Sequence, residues 1–226
     1  MARQAKEKFT CTWQFEHAAI QSGLSCIAGV DEVGRGPLFG PVVAAAVILP
    51  LTAELPGLTD SKQLTEARRE ILDVQIRACA LCFAIAEVDA ATIDRINIRE
   101  ATKLAMKNAV NQLAQQPDLL LIDGNMRINL PHRQQTIVKG DAQSFSIAAA
   151  SILAKVHRDR MLVEYEKEFP GYGLAQHKGY GTAAHLAALR QLGPTPQHRR
   201  SFAPVRLAAA LELPSSPGLF AQEASR

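Results

Sequence analysis

Apolar positions along the chain change period several times, and the changes divide it into elements. Cys26–Val33 (CIAGVDEV) and Val42–Leu49 (VVAAAVIL) are short runs of β-branched and small apolar residues, the pattern of buried strands. The intervening GRGPLFGP is too rich in glycine and proline for a plain two-residue hairpin and predicts a specialised connection. A second turn-rich stretch, Pro50–Lys62, leads into a charged helix from about Leu64, and Cys79–Val88 reads as a third strand. From Ala90 to about Gln115 the apolar residues Ile93, Ile96, Leu104, Met106 and Val110 fit a helix better than a strand. Leu119–Asp123 (LLLID) is a short strand closed by Gly124, and Thr136–Val138 is another, just before Lys139-Gly140-Asp141. A long helix begins near Phe145 and runs until Pro170 stops it, and the remainder holds one or two short helices between glycines and prolines. Strands joined first by turns and later by helices predict a mixed α/β sheet.

Composition narrows the class. The 226 residues are 47% hydrophobic and 21% charged, which suits one folded domain able to bury a core without disulfide or zinc staples. No apolar run reaches the roughly 18–20 residues of a membrane span, and the N-terminus has no signal-peptide core, so a cytoplasmic protein is expected. A net charge of +3 permits a polyanionic partner without demanding one. Cys79 and Cys82 form a C-x-x-C with no second pair at zinc-site spacing. In their apolar surroundings they read as buried core residues.

Three acidic positions end apolar strand-like runs: Asp31 with Glu32 after IAGV, Asp123 after LLLI, and Asp141 after IVKG. Strand ends at one edge of a sheet are where α/β proteins gather functional groups. Carboxylates without His or Cys beside them are hard ligands suited to Mg²⁺ or Mn²⁺. Brought together they would repel unless cations intervened. Taken singly, Asp123 reads equally as a turn former and Asp141 as a helix cap. Asp31 and Glu32 interrupt an otherwise apolar run, yet neighbours on a strand face opposite sides, so both reach one site only through a bulge or bend, which Gly34 and Gly36 would allow.

GVDEVGRGPLFGPVVAAAV resembles the leading motif of the type 2 ribonuclease H family, ribonuclease HII in bacteria. The likeness continues, in family order, through DSKQL, IDRINIREAT, LIDGN, KGDAQSFSIAAASILAKVHRD, HKGYGTAAH and GPTPQHRRSFAPV, from about Ile27 to Val205. Departures are few: Phe39 where a small residue is usual, Gln143 where lysine is expected, and His177 where asparagine is common. The resemblance implies a ribonuclease H-like fold with a small helical C-terminal part, and an endonuclease that cuts RNA paired with DNA. It also implies that Asp31, Glu32, Asp123 and Asp141 hold two divalent ions, Mn²⁺ or Mg²⁺, and that the products carry a 3′-hydroxyl and a 5′-phosphate. The expected partners are RNA–DNA hybrid and duplex DNA containing ribonucleotides, with roles in ribonucleotide removal and DNA replication. The chain is expected to be a monomer, with residues 1–25 as an extension, 26–206 as the catalytic domain and 207–226 as a flexible tail.

Other residues take their roles from the same likeness. In Gly34-Arg35-Gly36 the glycines let backbone approach a ribose 2′-hydroxyl, and Arg35 grips a phosphate. Tyr180 matches the family tyrosine that packs on the next deoxyribose; without the resemblance it reads as a turn residue. Lys62 and Ser151 are substrate-binding candidates, although a turn and helix cap explain the Asp60–Ser61 segment equally well. Lys155 and Arg158 either face the duplex or solvate the long helix. His185, His198, Arg199 and Arg200 give a basic cast that a solvated surface mostly explains, and Trp13 is expected to be a packing anchor. Leu219 and Phe220, in a Pro- and Ser-rich tail, loosely resemble peptides that dock on a sliding clamp, but packing back on the body is the favoured expectation. The rival functions are a resolvase- or transposase-like metal nuclease and a non-catalytic hybrid-binding module.

Overall fold

The computed structural model describes residues 11–211, and the expectations for the tail from Leu213 onward, Leu219 and Phe220 included, lie outside them. Five strands form one mixed sheet in the order β3-β2-β1-β4-β5. They are β1 (Ile27–Val33), β2 (Val42–Ile48), β3 (Cys82–Val88), β4 (Leu119–Asp123) and β5 (Arg133–Ile137). β1, β2 and β3 form an antiparallel meander, whereas β4 joins β1 in parallel and β5 in turn joins β4 in parallel. Seven helices surround the sheet among the described residues: α1 (Gln14–Gln21), α2 (Glu66–Cys79), α3 (Ala90–Asn111), α4 (Phe145–Glu168), α5 (Leu174–His177), α6 (Ala183–Leu192) and α7 (Ala203–Leu211).

Alternation along the central strands sorts two cores. Ala28, Val30, Ala44 and Ala46 face α3 through Ala101, Ala105 and Met106, while Val43, Ala45 and Val47 face α4 through Ala148 to Ala150 and Ile152. The small residues of β2 are buried on both faces, so helices approach closely from either side. Closest of all is the crossing at Gly29, where a Cβ would stand 2.1 Å from the Ser146 carbonyl carbon. Only glycine admits that contact, and it seats the first turn of α4 directly over β1.

Some elements differ from their sequence pattern for physical reasons. Cys79 ends α2 and Cys82 starts β3, so the C-x-x-C straddles a boundary, and both thiols are free and half-buried rather than core. β5 begins earlier than expected because Arg133, Gln134 and Gln135 carry no apolar signal on this edge strand. The helical pattern of α3 hides a break at Asn97 (φ 66°), whose Oδ1 accepts from the N–H groups of Arg99 and Glu100 and so restarts the helix. Among the described residues three helices, not one or two, follow Pro170, and α7 runs across the expected boundary at residue 207.

Residues 12–21 are packed on the body. Thr12 bridges to Ser144, and Trp13 stacks on Phe145 at 4.8 Å, the anchoring expected of it. Glu16, 1% exposed, accepts from Ser144 Oγ at 2.6 Å and Ser146 N at 3.0 Å, a carboxylate placed at the N-terminus of α4.

Candidate active site

β1 and β4 run parallel and end side by side, which sets Asp31 and Glu32 next to Asp123. Of the bulge or bend expected here, the bulge is absent: β1 pairs with β2 without interruption from Ala28 to Val33. At this strand end Asp31 and Glu32 still lie close enough for their charges to repel, and Asp123, one strand over, repels both carboxylates. After β5, Lys139 takes a left-handed conformation (φ 57°) and a single 3₁₀ turn (Gly140–Ala142) delivers Asp141. Asp123 Oδ1 accepts from Gly140 N at 2.7 Å and lies 3.4 Å from Asp141 N, so one carboxylate fixes the turn that carries the other.

The electrostatics of this corner are unfavourable as they stand. Burial, then Glu32 and Asp123, push Asp31 well above the usual carboxylate range, while a hydrogen bond from Ser151 favours its ionised form. Burial also raises Glu32, against the pull of Arg35, whose Nη1 lies 3.2 Å from its Oε1. Asp141 is raised by burial and by Asp123 and Asp60, while Lys62 opposes the shift from 3.1 Å. Among the described residues, no three His, Cys, Asp or Glu side chains already form a metal cage. The donor set nevertheless fits a hard divalent cation: oxygen ligands only, buried, and crowded with like charge that a cation would relieve.

The candidate binding residues also converge. Ser151, on α4, shares a 3.0 Å hydrogen bond with Ser61, the residue before Lys62, so the Asp60–Lys62 turn is pinned beside Asp31. Gly36 lies against Tyr180: a Cβ there would stand 3.5 Å from the ring. Tyr180 is 46% exposed, available for contact from outside.

Expectations for five other residues are corrected. Lys155 does not face outward but lies 2.7 Å from Asp159 in a half-buried pair. Arg158, His185, His198 and Arg199 are buried, so neither a duplex-facing role nor a solvated surface describes them. The histidines hold the Tyr180 turn. Nδ1 of His185 donates to the Tyr180 carbonyl at 2.9 Å, which leaves its Nε2 to accept from His198 Nε2 at 3.2 Å, while His198 Nδ1 accepts from Thr195 N. His177, where the family more often has asparagine, donates from Nε2 to the Tyr172 carbonyl and accepts from Gly179 N. Gln143 donates to the Val138 and Lys139 carbonyls and so closes the loop before Asp141. Phe39 packs edge-on against Tyr165, Phe169 and His198.

The family model described as Ribonuclease HII matches residues 28–205, nearly the whole folded body. The chain belongs to the ribonuclease HII family. The ribonuclease HII of Geobacter metallireducens is 58% identical over 194 residues, covering 86% of this chain and 91% of that protein. Among solved structures, ribonuclease H2 from Pyrococcus horikoshii superposes with a TM-score of 0.71 at 25% identity, covering 83% of this chain and 98% of that one. Bst-RNase HIII in complex with Mn²⁺ shares the fold with a TM-score of 0.66 at 23% identity, over 86% of this chain and 72% of that one. Membership of the ribonuclease HII family makes this a ribonuclease H, a metal-dependent hydrolase of RNA paired with DNA.

Proposed function

We propose that this ribonuclease HII-family chain incises the RNA strand of hybrids and also nicks on the 5′ side of a single ribonucleotide embedded in duplex DNA. The observation that carries the reading is the convergence of two groups at one sheet end. Asp31, Glu32, Asp123 and Asp141 crowd together where the strands stop, and Gly36 lies against Tyr180 beside them. Two divalent ions held by the four carboxylates, Mn²⁺ or Mg²⁺, would supply the charge that activates a water and neutralises the departing 3′-oxygen, leaving 3′-hydroxyl and 5′-phosphate ends.

The chain's own groups do the rest. Backbone at Gly34–Gly36 reads the ribose 2′-hydroxyl, because absent side chains let peptide groups approach it. Arg35 holds a phosphate from beside Glu32, and Lys62, with its ammonium at the mouth of the site, reaches another. Ser151 orients Asp31 from α4. Tyr180 packs on the sugar of the following deoxynucleotide. Such incision would serve ribonucleotide removal and replication in the cytoplasm, by a chain acting as a monomer. Docking on a sliding clamp through Leu219 and Phe220 is a separate proposal, tested by a pull-down of full-length and truncated chains with purified clamp.

The experiment is cleavage of duplex DNA carrying one ribonucleotide against an all-DNA control, with and without Mg²⁺ or Mn²⁺. A single nick 5′ of the ribonucleotide, dependent on metal, is expected. Cleavage of the all-DNA duplex at a similar rate would favour a resolvase-like nuclease instead.

A further inference from the structure

Beneath the Gly34–Pro41 loop lies a guanidinium with no exposure at all, that of Arg199. It donates to four carbonyls of that one loop: from Nε to Gly40 at 2.9 Å, from Nη1 to Arg35 at 3.0 Å and Pro37 at 2.8 Å, and from Nη2 to Gly34 at 2.5 Å. The Arg199 N–H adds a bond to the Leu38 carbonyl at 2.9 Å. The loop is thus folded around a buried cation, with carbonyl dipoles taking the place of water and of a carboxylate. Arg158, equally buried, serves the far end of the loop and binds the Phe39 and Pro41 carbonyls. Its third bond, from Nη1 at 2.9 Å, goes to the Lys178 carbonyl, two residues before Tyr180.

A trans peptide points its C=O and N–H in opposite directions. Drawing the Gly34 and Arg35 carbonyls inward to Arg199 therefore turns the N–H groups of Arg35 and Gly36 away from it. Gly36 lies against the exposed Tyr180 ring, so the outward side of these peptides is the side where a ribose would sit. Resting on the ribose-reading role proposed above, we infer that Arg199 is a positioning residue that aims the N–H groups of Arg35 and Gly36 at the ribose 2′-oxygen, and that Arg158 sets the distance from this loop to Tyr180.

Two details favour positioning over simple filling of space. Gly34, at φ +89°, sits so close to Arg158 that a Cβ would meet its Nε at 2.3 Å, so glycine here serves the buried arginine as well as the turn. Both guanidiniums also keep their charge despite burial. Burial and the neighbouring Arg158 lower Arg199 to about 9, and burial lowers Arg158 to about 10, each still far above neutrality. An ammonium at position 199 would retain the charge but could not span four divergent carbonyls with its three protons.

The test compares wild type with Arg199→Lys. Binding to a labelled duplex with one ribonucleotide and to its all-DNA counterpart is measured by anisotropy in EDTA at one fixed salt. Wild type should prefer the ribonucleotide duplex by about tenfold, the net worth of about one hydrogen bond to the hydroxyl. Arg199→Lys should bring the two affinities within about twofold, chiefly by weakening binding of the ribonucleotide duplex, because net charge is kept while the loop's aim is lost. A folded Arg199→Lys chain that retains the preference overturns the assignment. Wild type without any preference overturns the ribose-reading role itself, and this inference with it. If Arg199→Lys fails to fold, amide resonances of wild type decide. Arg35 and Gly36 should shift differently with the two duplexes, and identical shifts overturn the inference.

Discussion

Lys62 Nζ lies 3.1 Å from Asp141 Oδ2, so the carboxylate proposed to hold an ion already faces a cation from the chain. Although burial alone would lower Lys62, the pull of Asp141, Asp60 and Asp31 raises it, and it stays protonated. A metal held at this carboxylate would therefore compete with the lysine for Asp141. Lys62→Met should tighten Mn²⁺ binding about two- to tenfold by calorimetry while raising KM for the hybrid, since a phosphate contact is lost. Weaker Mn²⁺ binding in Lys62→Met would show that the lysine does not contend with the ion.

Asp31 and Asp123 should be the least replaceable carboxylates. Asparagine at either position removes a charged ligand and should lower kcat by orders of magnitude at saturating Mg²⁺. Hybrid binding should hold or improve, because a negative charge facing phosphates is gone. Near-normal cleavage by Asp31→Asn would refute its role. Asp141→Asn, whose charge Lys62 already offsets in part, should be milder.

Acid stability follows from the buried histidines. Desolvation lowers His185, and desolvation with His185 and Arg200 nearby lowers His198 to about 3, below the ordinary 6.5 of an exposed ring. Between these values the unfolded chain binds protons that the folded chain refuses, so stability is complete above about pH 6.5 and falls as pH drops toward 3. Urea midpoints measured from pH 7.5 down to 4 should decline, and His198→Gln should flatten the slope. An unchanged slope in the variant would mean that other groups dominate.

Why these residues were illegible in the sequence is itself physical. The strand ends carrying Asp31, Asp123 and Asp141 could be read because an acid that closes an apolar run stands out against its neighbours. Arg158 on a helix and Arg199 beside Arg200 carry no such contrast, since a buried arginine and a solvated one have the same local pattern. Their partners are carbonyls, which no side-chain pattern reports. Asn97 was hidden for a similar reason: the apolar spacing continues across it, and only its φ reveals the break. Gly29 did offer a signal, a lone glycine inside a strand, which often marks close backbone approach.

Gly29→Ala tests that approach. With a Cβ 2.1 Å from backbone of α4, the helix must retreat, and a loss of about 1–3 kcal/mol or more is expected from the urea midpoint. Because α4 carries Ser151 against Asp31, activity should fall beyond what the unfolded fraction explains. Stability within a few tenths of a kcal/mol of wild type would contradict the crossing.

Tyr180 separates junction reading from general binding. Its ring lies against Gly36, and its turn is tied to the Gly34–Pro41 loop through Arg158 and through Leu38 N, which donates to the Gly179 carbonyl at 2.8 Å. If the ring packs on the deoxyribose that follows a ribonucleotide, Tyr180→Ala should lose far more on a duplex with one ribonucleotide than on a long hybrid, where no junction need be read. Tyr180→Phe should be mild if packing dominates, and damaging if the hydroxyl also holds a phosphate. The measurement is kcat/KM on both substrates for each variant, at one salt concentration, with the ratio of the two as the readout. Because the ring is half exposed and held from below by backbone, its loss should leave thermal stability nearly unchanged. Equal losses on both substrates would assign Tyr180 to general binding. A selective loss with unchanged stability would assign it to the sugar on the 3′ side of the ribonucleotide.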